Sequence, residues 1–170
     1  MEWEESRLRF ARPLRSLLAL YGRKPVPLRL AGVRSGAKAL GPAIGSPPLT
    51  MRDAADYVAK LKNHCVLVRP EERRTALMKA LDQIARKSPA QPDRDPELIE
   101  EIVYLTEFPV PVVGGMDRAF LQLPKALLTR VLKGQLKFLP MSGPDGALEA
   151  AFIGVRDGKS EGQRQVQEGY

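Results

Sequence analysis

A single cysteine, Cys65, and a single histidine, His64, are all the thiol and imidazole that these 170 residues possess. One cysteine excludes an internal disulfide framework and leaves no paired thiolates for a structural zinc. No His/Cys/Asp spacing has the pattern of a metal site. His64 and Cys65 are neighbours, but on an extended segment neighbouring side chains point to opposite faces, so the two do not share a proton and Cys65 reads as a buried structural residue. Long apolar runs are missing too, and the first residues, Met1-Glu2-Trp3-Glu4-Glu5, are acidic where a signal peptide would be basic and then apolar. The expectation is a soluble, cytoplasmic protein with no membrane partner. There is no internal repeat and no low-complexity tract.

Self-contained phosphate chemistry is absent as well. No Gly-x-x-x-x-Gly-Lys-Ser/Thr loop occurs, Gly114-Gly115 reads as a turn, and Gly32, Gly36, Gly41 and Gly45 are explained by backbone freedom. A chain that activated a substrate with ATP alone would need donors and cations arranged around the phosphates. The paired acids Glu71-Glu72, Glu100-Glu101 and Asp93/Asp95 read as helix-start or surface carboxylates rather than an acid–base pair.

What is present is a hydrophobic fraction of 44%, enough for a domain with a real core, and a net charge of +7. The charge is concentrated. Residues 1–50 hold nine basic against three acidic side chains, residues 51–100 ten against nine, and the remainder balances. Concentrated basic charge attracts phosphates, which makes Arg9, Arg12, Arg15, Arg34 and Lys38 candidate RNA-binding residues. The alternative is a solvated basic face or a surface for an acidic partner. Trp3 and Phe10, beside these cations, read as anchors of the N-terminus more readily than as base-stacking platforms.

Patterning predicts a mixed α/β, or α+β, domain over residues 1–155 and a polar, loosely held tail over 156–170. A short helix is expected from Pro13 to Tyr21, since Leu14, Leu17, Leu18 and Tyr21 follow helical spacing and Gly22 suits the position past its end. Val26–Leu30 alternates as a half-buried strand that Pro27 confines to an edge. Residues 34–48 read as a Gly/Pro-rich loop. Thr50 and Asp53 form a capping-box-like start to a second helix, and Cys65–Val68 a brief buried strand. Pro70 with Glu71 and Glu72 opens a third helix with Leu77, Ala80, Leu81 and Ile84 inward, where Arg73 and Arg74 read as a solvated face beside those acids. After a connection over 88–94, Asp95-Pro96 caps a helix with Leu98, Ile102 and Leu105 inward. Val110–Val113 is an edge strand. Pro124 starts a helix with Leu127, Leu128, Val131 and Leu132 apolar, ended by Gly134. Leu136–Met141 and Ala147–Val155 frame the turn Gly143-Pro144-Asp145-Gly146 as a hairpin.

The run from Glu97 to Met141 is the most specific part of the sequence. It holds a helix ending in Glu107-Phe108-Pro109, a short strand with glycines, and Phe120-Leu121-Gln122-Leu123-Pro124-Lys125 opening another helix. With Phe10 to Arg15, Leu17 to Gly22, Ala31-Gly32-Val33, Gly36, Gly41 and Glu71 to Arg74, this run resembles the bacterial glycyl-tRNA synthetase beta subunit family. The similarity implies a domain like the one shared with the phenylalanyl-tRNA synthetase beta subunit. It implies a role in attaching glycine to its tRNA, through tRNA positioning and assembly with the alpha subunit in a hetero-oligomer. Such a chain holds no cofactor itself, and ATP and magnesium belong to the alpha subunit. A free-standing RNA-binding module, or an editing-type domain acting on aminoacyl-tRNA, are the alternatives.

Several family positions are altered. Met-Arg-Trp is Met1-Glu2-Trp3, the Trp of Arg-Pro-Ile-Arg-Trp is Ser16, Gly-His-Arg-Phe is Gly41-Pro42-Ala43-Ile44, and His-Gln-Lys-Tyr-Phe-Pro is Gln135-Leu136-Lys137-Phe138-Leu139-Pro140. Polar positions change more than apolar ones, a pattern that keeps the scaffold. The Val-x-x-Gly-Asn-Glu segment, after which family members continue, is met only as Val166-Gln167-Glu168-Gly169, so the chain is expected to be part of a longer protein and inactive alone.

Overall fold

The computed structural model describes residues 14–40 and 47–158, and contacts divide the chain into two compact units, residues 1–66 and 67–170, where the sequence suggests one domain. Strands and helices mix in the pattern of an α+β protein.

The first unit is built from short strands. β1 (Leu17–Leu18) lies parallel to β5 (Val33–Gly36), which pairs on its other side with β4 (Arg29–Leu30). β2 (Leu20–Tyr21) and β3 (Lys24–Pro25) form one hairpin, and β6 (Lys38–Ala39) pairs with β7 (Leu49–Thr50). The helix expected from Pro13 to Tyr21 is therefore replaced by strands over its described part. Leucines at 14, 17 and 18 suit either period, and Gly22, at φ 58°, serves a hairpin turn rather than a helix end. The expected strand Val26–Leu30 shrinks to its last two residues, and Val26, Leu28 and Leu30 are exposed. Pro27 offers no N–H, and the Ser35 hydroxyl compensates by donating to the Val26 carbonyl at 2.7 Å and accepting from the Leu28 N–H at 2.9 Å. The expected loop over 34–48 contains the end of β5 and all of β6.

Asp53, not Thr50, caps the next segment. Its carboxylate accepts from the Ala55 N–H at 3.1 Å, at the head of a 3-10 turn (Ala54–Asp56) that runs into α1 (Tyr57–Asn63). Cys65–Val68 is no strand. The Cys65 N–H donates to the Lys62 carbonyl and the Val66 N–H to the Leu61 carbonyl, the paired bonds of a Schellman helix end, with Cys65 at φ 59° and only partly buried.

The second unit holds the larger core. α2 (Pro70–Lys87) begins with proline and two acids and buries Leu77 and Leu81 one turn apart. α3 (Pro96–Leu105) is capped by Asp95, whose carboxylate accepts from the Glu97 and Leu98 N–H groups. It buries Leu98, Ile99, Ile102 and Val103, whereas Leu105 faces outward. Both helices pack on a four-stranded antiparallel sheet of order β8-β10-β11-β9, formed by β8 (Gln91–Pro92), β10 (Leu139–Ser142), β11 (Leu148–Asp157) and β9 (Pro109–Gly115). From this sheet Leu139, Met141 and Ile153 enter the helix-facing core. β9 is an edge strand, as its prolines require. The hairpin turn at Gly143–Gly146 closes with the Gly143 N–H donating to the Ala147 carbonyl at 2.9 Å.

Gly114 and Gly115 are the end of β9 and not a turn. A Cβ on Gly114 would lie 2.6 Å from the Phe152 ring directly across the sheet, so only glycine lets the ring lie there. Arg156 and Asp157 belong to β11 rather than to the polar tail, and the Asp157 carboxylate accepts from the Glu107 and Phe108 N–H groups. Residues 159–170 lie outside the described part. α4 (Lys125–Arg130), entered from Pro124, continues through one wider turn over Val131–Gln135 that includes Gly134. Leu128 and Leu132 are buried, while Leu127 and Val131 are exposed.

Candidate nucleic-acid interface

In the first unit, main-chain bonds draw three separate stretches of sequence around one groove. β1 runs parallel to β5 in the register Leu17 to Ser35 and Leu18 to Gly36. The Met51 N–H donates to the Ala37 carbonyl at 2.8 Å, and Lys38 stands opposite Thr50 across β6 and β7. The result is an open groove of about 460 Å3 lined by Arg15, Ser16, Leu17, Val33, Arg34, Gly36, Ala37, Lys38 and Thr50. Three of the five sequence-derived candidates, Arg15, Arg34 and Lys38, meet there, and all three are exposed. Arg9 and Arg12 lie outside the described residues.

The electrostatics are one-sided. Among the described residues no carboxylate lines the groove. Arg23, by contrast, lies 3.4 Å from Asp53 and is partly neutralised. A fourth cation, Arg29, is paired in register with Arg34 across β4 and β5. Directly opposed like charges on one face of a strand pair destabilise it, and a bound anion relieves the repulsion. Arg29 was not singled out from the sequence as a binding residue. The signal that reveals it is the two-residue turn Ala31-Gly32, both at positive φ, which forces Arg29 and Arg34 opposite each other. Ser16 and Thr50 add hydroxyls, so the groove presents guanidinium, ammonium and hydroxyl donors suited to phosphate oxygens.

Other sequence candidates have structural partners. The His64 ring nitrogen Nδ1 sits 2.8 Å from the Lys60 carbonyl. Arg73 donates to the Thr106 carbonyl at 2.7 Å and lies 6.0 Å from the Tyr104 ring centroid, and Arg74 pairs with Glu100. Both arginines therefore reach the end and flank of α3, where a solvated face beside Glu71 and Glu72 is the sequence expectation. Lys137 pairs with Glu101 at 2.9 Å, and Lys133 lies 2.5 Å from Asp93 and 3.0 Å from Asp95. The hydrogen bond from Lys133 holds the Asp95 carboxyl below its ordinary range, despite burial and with help from the Glu97 and Leu98 N–H groups. Burial works against the charge on Lys133, but the bonds to Asp93 and Asp95 outweigh it and raise its pKa. Among the described residues no group of three or more His, Cys, Asp or Glu could hold a metal ion, and no helix is long and apolar enough to cross a membrane.

Comparison with known proteins matches the family model described as glycyl-tRNA synthetase beta subunit over residues 1–170. The chain is 29% identical over 169 residues to the glycine--tRNA ligase beta subunit of Desulfitobacterium hafniense (strain Y51), covering 99% of this chain and 24% of that protein. The corresponding subunit of Moorella thermoacetica is 31% identical over 170 residues, with 99% and 24% covered. That of Desulforamulus reducens is 33% identical over 159 residues, with 93% and 23% covered. The chain thus spans about a quarter of the length of these relatives, 24% for the first. With the family model matching from the first residue to the last, the chain belongs to the glycyl-tRNA synthetase beta subunit family.

Proposed function

We propose that this chain serves glycine–tRNA ligation as part of a beta subunit, its groove at Arg15, Arg34 and Lys38 holding the phosphate backbone of glycine tRNA. The observation that supports this reading is the convergence of three exposed cations on a groove whose lining, among the described residues, includes no carboxylate, with Arg29 opposite Arg34 beside it. Such a site contributes position and affinity, because phosphate contacts carry little sequence information. In the same reading the subunit assembles with the alpha subunit in the cytoplasm. ATP and magnesium are bound by the alpha subunit, and this chain alone does not aminoacylate. The likeness of the fold to the domain shared with the phenylalanyl-tRNA synthetase beta subunit belongs to the same proposal.

The test is fluorescence anisotropy with glycine tRNA across a salt series, using the parent chain and the Arg15→Ala, Arg34→Ala and Lys38→Ala variants. Each variant is expected to weaken binding and to reduce the slope of log affinity against log salt by about 1. Binding that ignores salt, or survives all three changes together, sinks the groove as the tRNA site.

A further inference from the structure

The β4–β5 hairpin fixes two guanidinium side chains against each other in a way that its own sequence does not balance. The Ser35 N–H donates to the Leu28 carbonyl at 3.0 Å, and along an antiparallel ladder hydrogen-bonded pairs alternate with non-hydrogen-bonded ones. Arg29 and Arg34, one step nearer the turn, are therefore a non-hydrogen-bonded pair, the arrangement that brings Cα atoms to about 4.5 Å and side chains closest on one face. Their register is pinned at both ends. Ala31 and Gly32, at φ 46° and 75°, close the turn, and the Ser35 hydroxyl bridges Val26 and Leu28 at the open end. A slip that would part the two charges is thus opposed from both sides.

The neighbouring acids are committed elsewhere. Among the described residues of the first unit the carboxylates are Asp53 and Asp56. Asp53 accepts from the Ala55 N–H at 3.1 Å and lies 3.4 Å from Arg23, and Asp56 lies 3.4 Å from Lys60. Arg29 and Arg34 are both exposed, and neither is in an ion pair among the described residues. Opposed like charges weaken a strand pair, so the hairpin suits an anion that comes from outside. The donors narrow its chemistry. Two guanidinium forks side by side each offer a bidentate pair of N–H groups, and a phosphate has oxygens enough to face both. Arg34 also lines the basic groove with Arg15 and Lys38, so a phosphate held at the hairpin continues the same track.

We propose that Arg29 and Arg34 hold a single phosphate group between them, and that this clamp lowers the stability of the free chain until the phosphate binds. The inference rests on the reading of the groove as a site for tRNA phosphates, and adds to it Arg29, the shared phosphate and the link to stability. It is tested by anisotropy with glycine tRNA over a salt series and by thermal melting of the same proteins: the parent, Arg29→Thr, Arg34→Thr, the double variant, and Arg15→Ala as a groove control. Arg29→Thr is expected to weaken tRNA binding at least about fivefold, and the double variant to lower the slope of log affinity against log salt by about 1, the count for one shared phosphate. A slope change of about 2 would mean two separate contacts and overturn the clamp. Without RNA, Arg29→Thr is expected to melt a few degrees above the parent at about 0.1 M salt, with the gain vanishing at about 1 M, where the repulsion is screened. Threonine suits strands by itself, so a gain that persists at high salt, like no gain at all, removes the strained pair. Parent-like tRNA affinity in Arg29→Thr, with Arg15→Ala still weakened, overturns the clamp and leaves the groove reading standing, whereas no binding by the parent overturns both. Inorganic phosphate separates the sources. If at equal ionic strength it raises the parent's melting temperature as far as tRNA does, the site takes free phosphate and the link to RNA falls.

Discussion

Cys65 occupies a left-handed backbone position, φ 59°, that costs an ordinary L-residue roughly 1–2 kcal/mol. Cys65→Val, which adds β-branching at that φ, is expected to lower stability by about 1–2 kcal/mol, whereas Cys65→Gly stays within about 0.5 kcal/mol of the parent or above it. Urea titration of both variants checks the contrast, and equal loss in the two would remove the backbone explanation. Gly114 poses the opposite problem, of space rather than φ. Gly114→Ala drives a methyl into the Phe152 ring and is expected to cost about 1–3 kcal/mol, read from the same titration. Neither role is legible locally in the sequence. An isolated cysteine gives no sign that it ends a helix in the position glycine favours, and Gly114-Gly115 resembles a turn until the residue across the sheet proves to be aromatic.

At the scale of elements, the long helices were legible and the short strands were not. α2 and α3 announce themselves through Pro70 with its acids, Asp95-Pro96, and buried stripes repeated over several turns. β1 to β7 span two to four residues each, too few for a period to establish itself, and their pairing is fixed by distant partners such as Gly36 for Leu18. The tie between α3 and the wide turn after α4 is Lys133, which bridges Asp93 and Asp95. Lys133→Met is expected to destabilise by about 1–2 kcal/mol near neutrality. It also has a signature in pH. Asp95 is lowered from 3.8, so its contribution is fully present above that value and is lost as pH falls through the lowered pKa. Lys133 is raised from 10.5, so its contribution is fully present below 10.5 and is lost as pH climbs through the raised pKa. Stability measured against pH should therefore differ between parent and variant most across the plateau between these limits, and the curves should converge at both extremes. A constant difference at every pH would show that the ion pairs are not its source.

Across the whole molecule, the motifs lead to the family to which the chain belongs, and the charge map leads to cations that the fold gathers at one groove. Arg15, Arg34 and Lys38 were legible as a cationic group because nine basic residues fall in the first fifty. The Arg29–Arg34 opposition was not, because it depends on a two-residue turn whose geometry the local sequence only hints at. Screening follows from the same map. Raising salt from about 0.1 M to 1 M shortens the Debye length from about 10 Å to 3 Å, so tRNA affinity should collapse. Affinity that persists at about 1 M salt would contradict the basic groove as the phosphate site.

The order of strands in the second unit carries one consequence for how the protein is made. β11 lies between β10 and β9 in the sheet, yet it is the last of these strands in the sequence, and its seven-pair register with β9 ends beside the Asp157 carboxylate that holds Glu107 and Phe108. On the ribosome, α2, α3 and β9 emerge long before the strand that must sit beside them. Until residue 157 clears the exit tunnel, one long edge of β9 and the apolar faces of both helices have no sheet to close against, so this unit folds late and as a piece. Nascent chains arrested just before and just after β11 should differ sharply in protease resistance, with the transition set by that single strand.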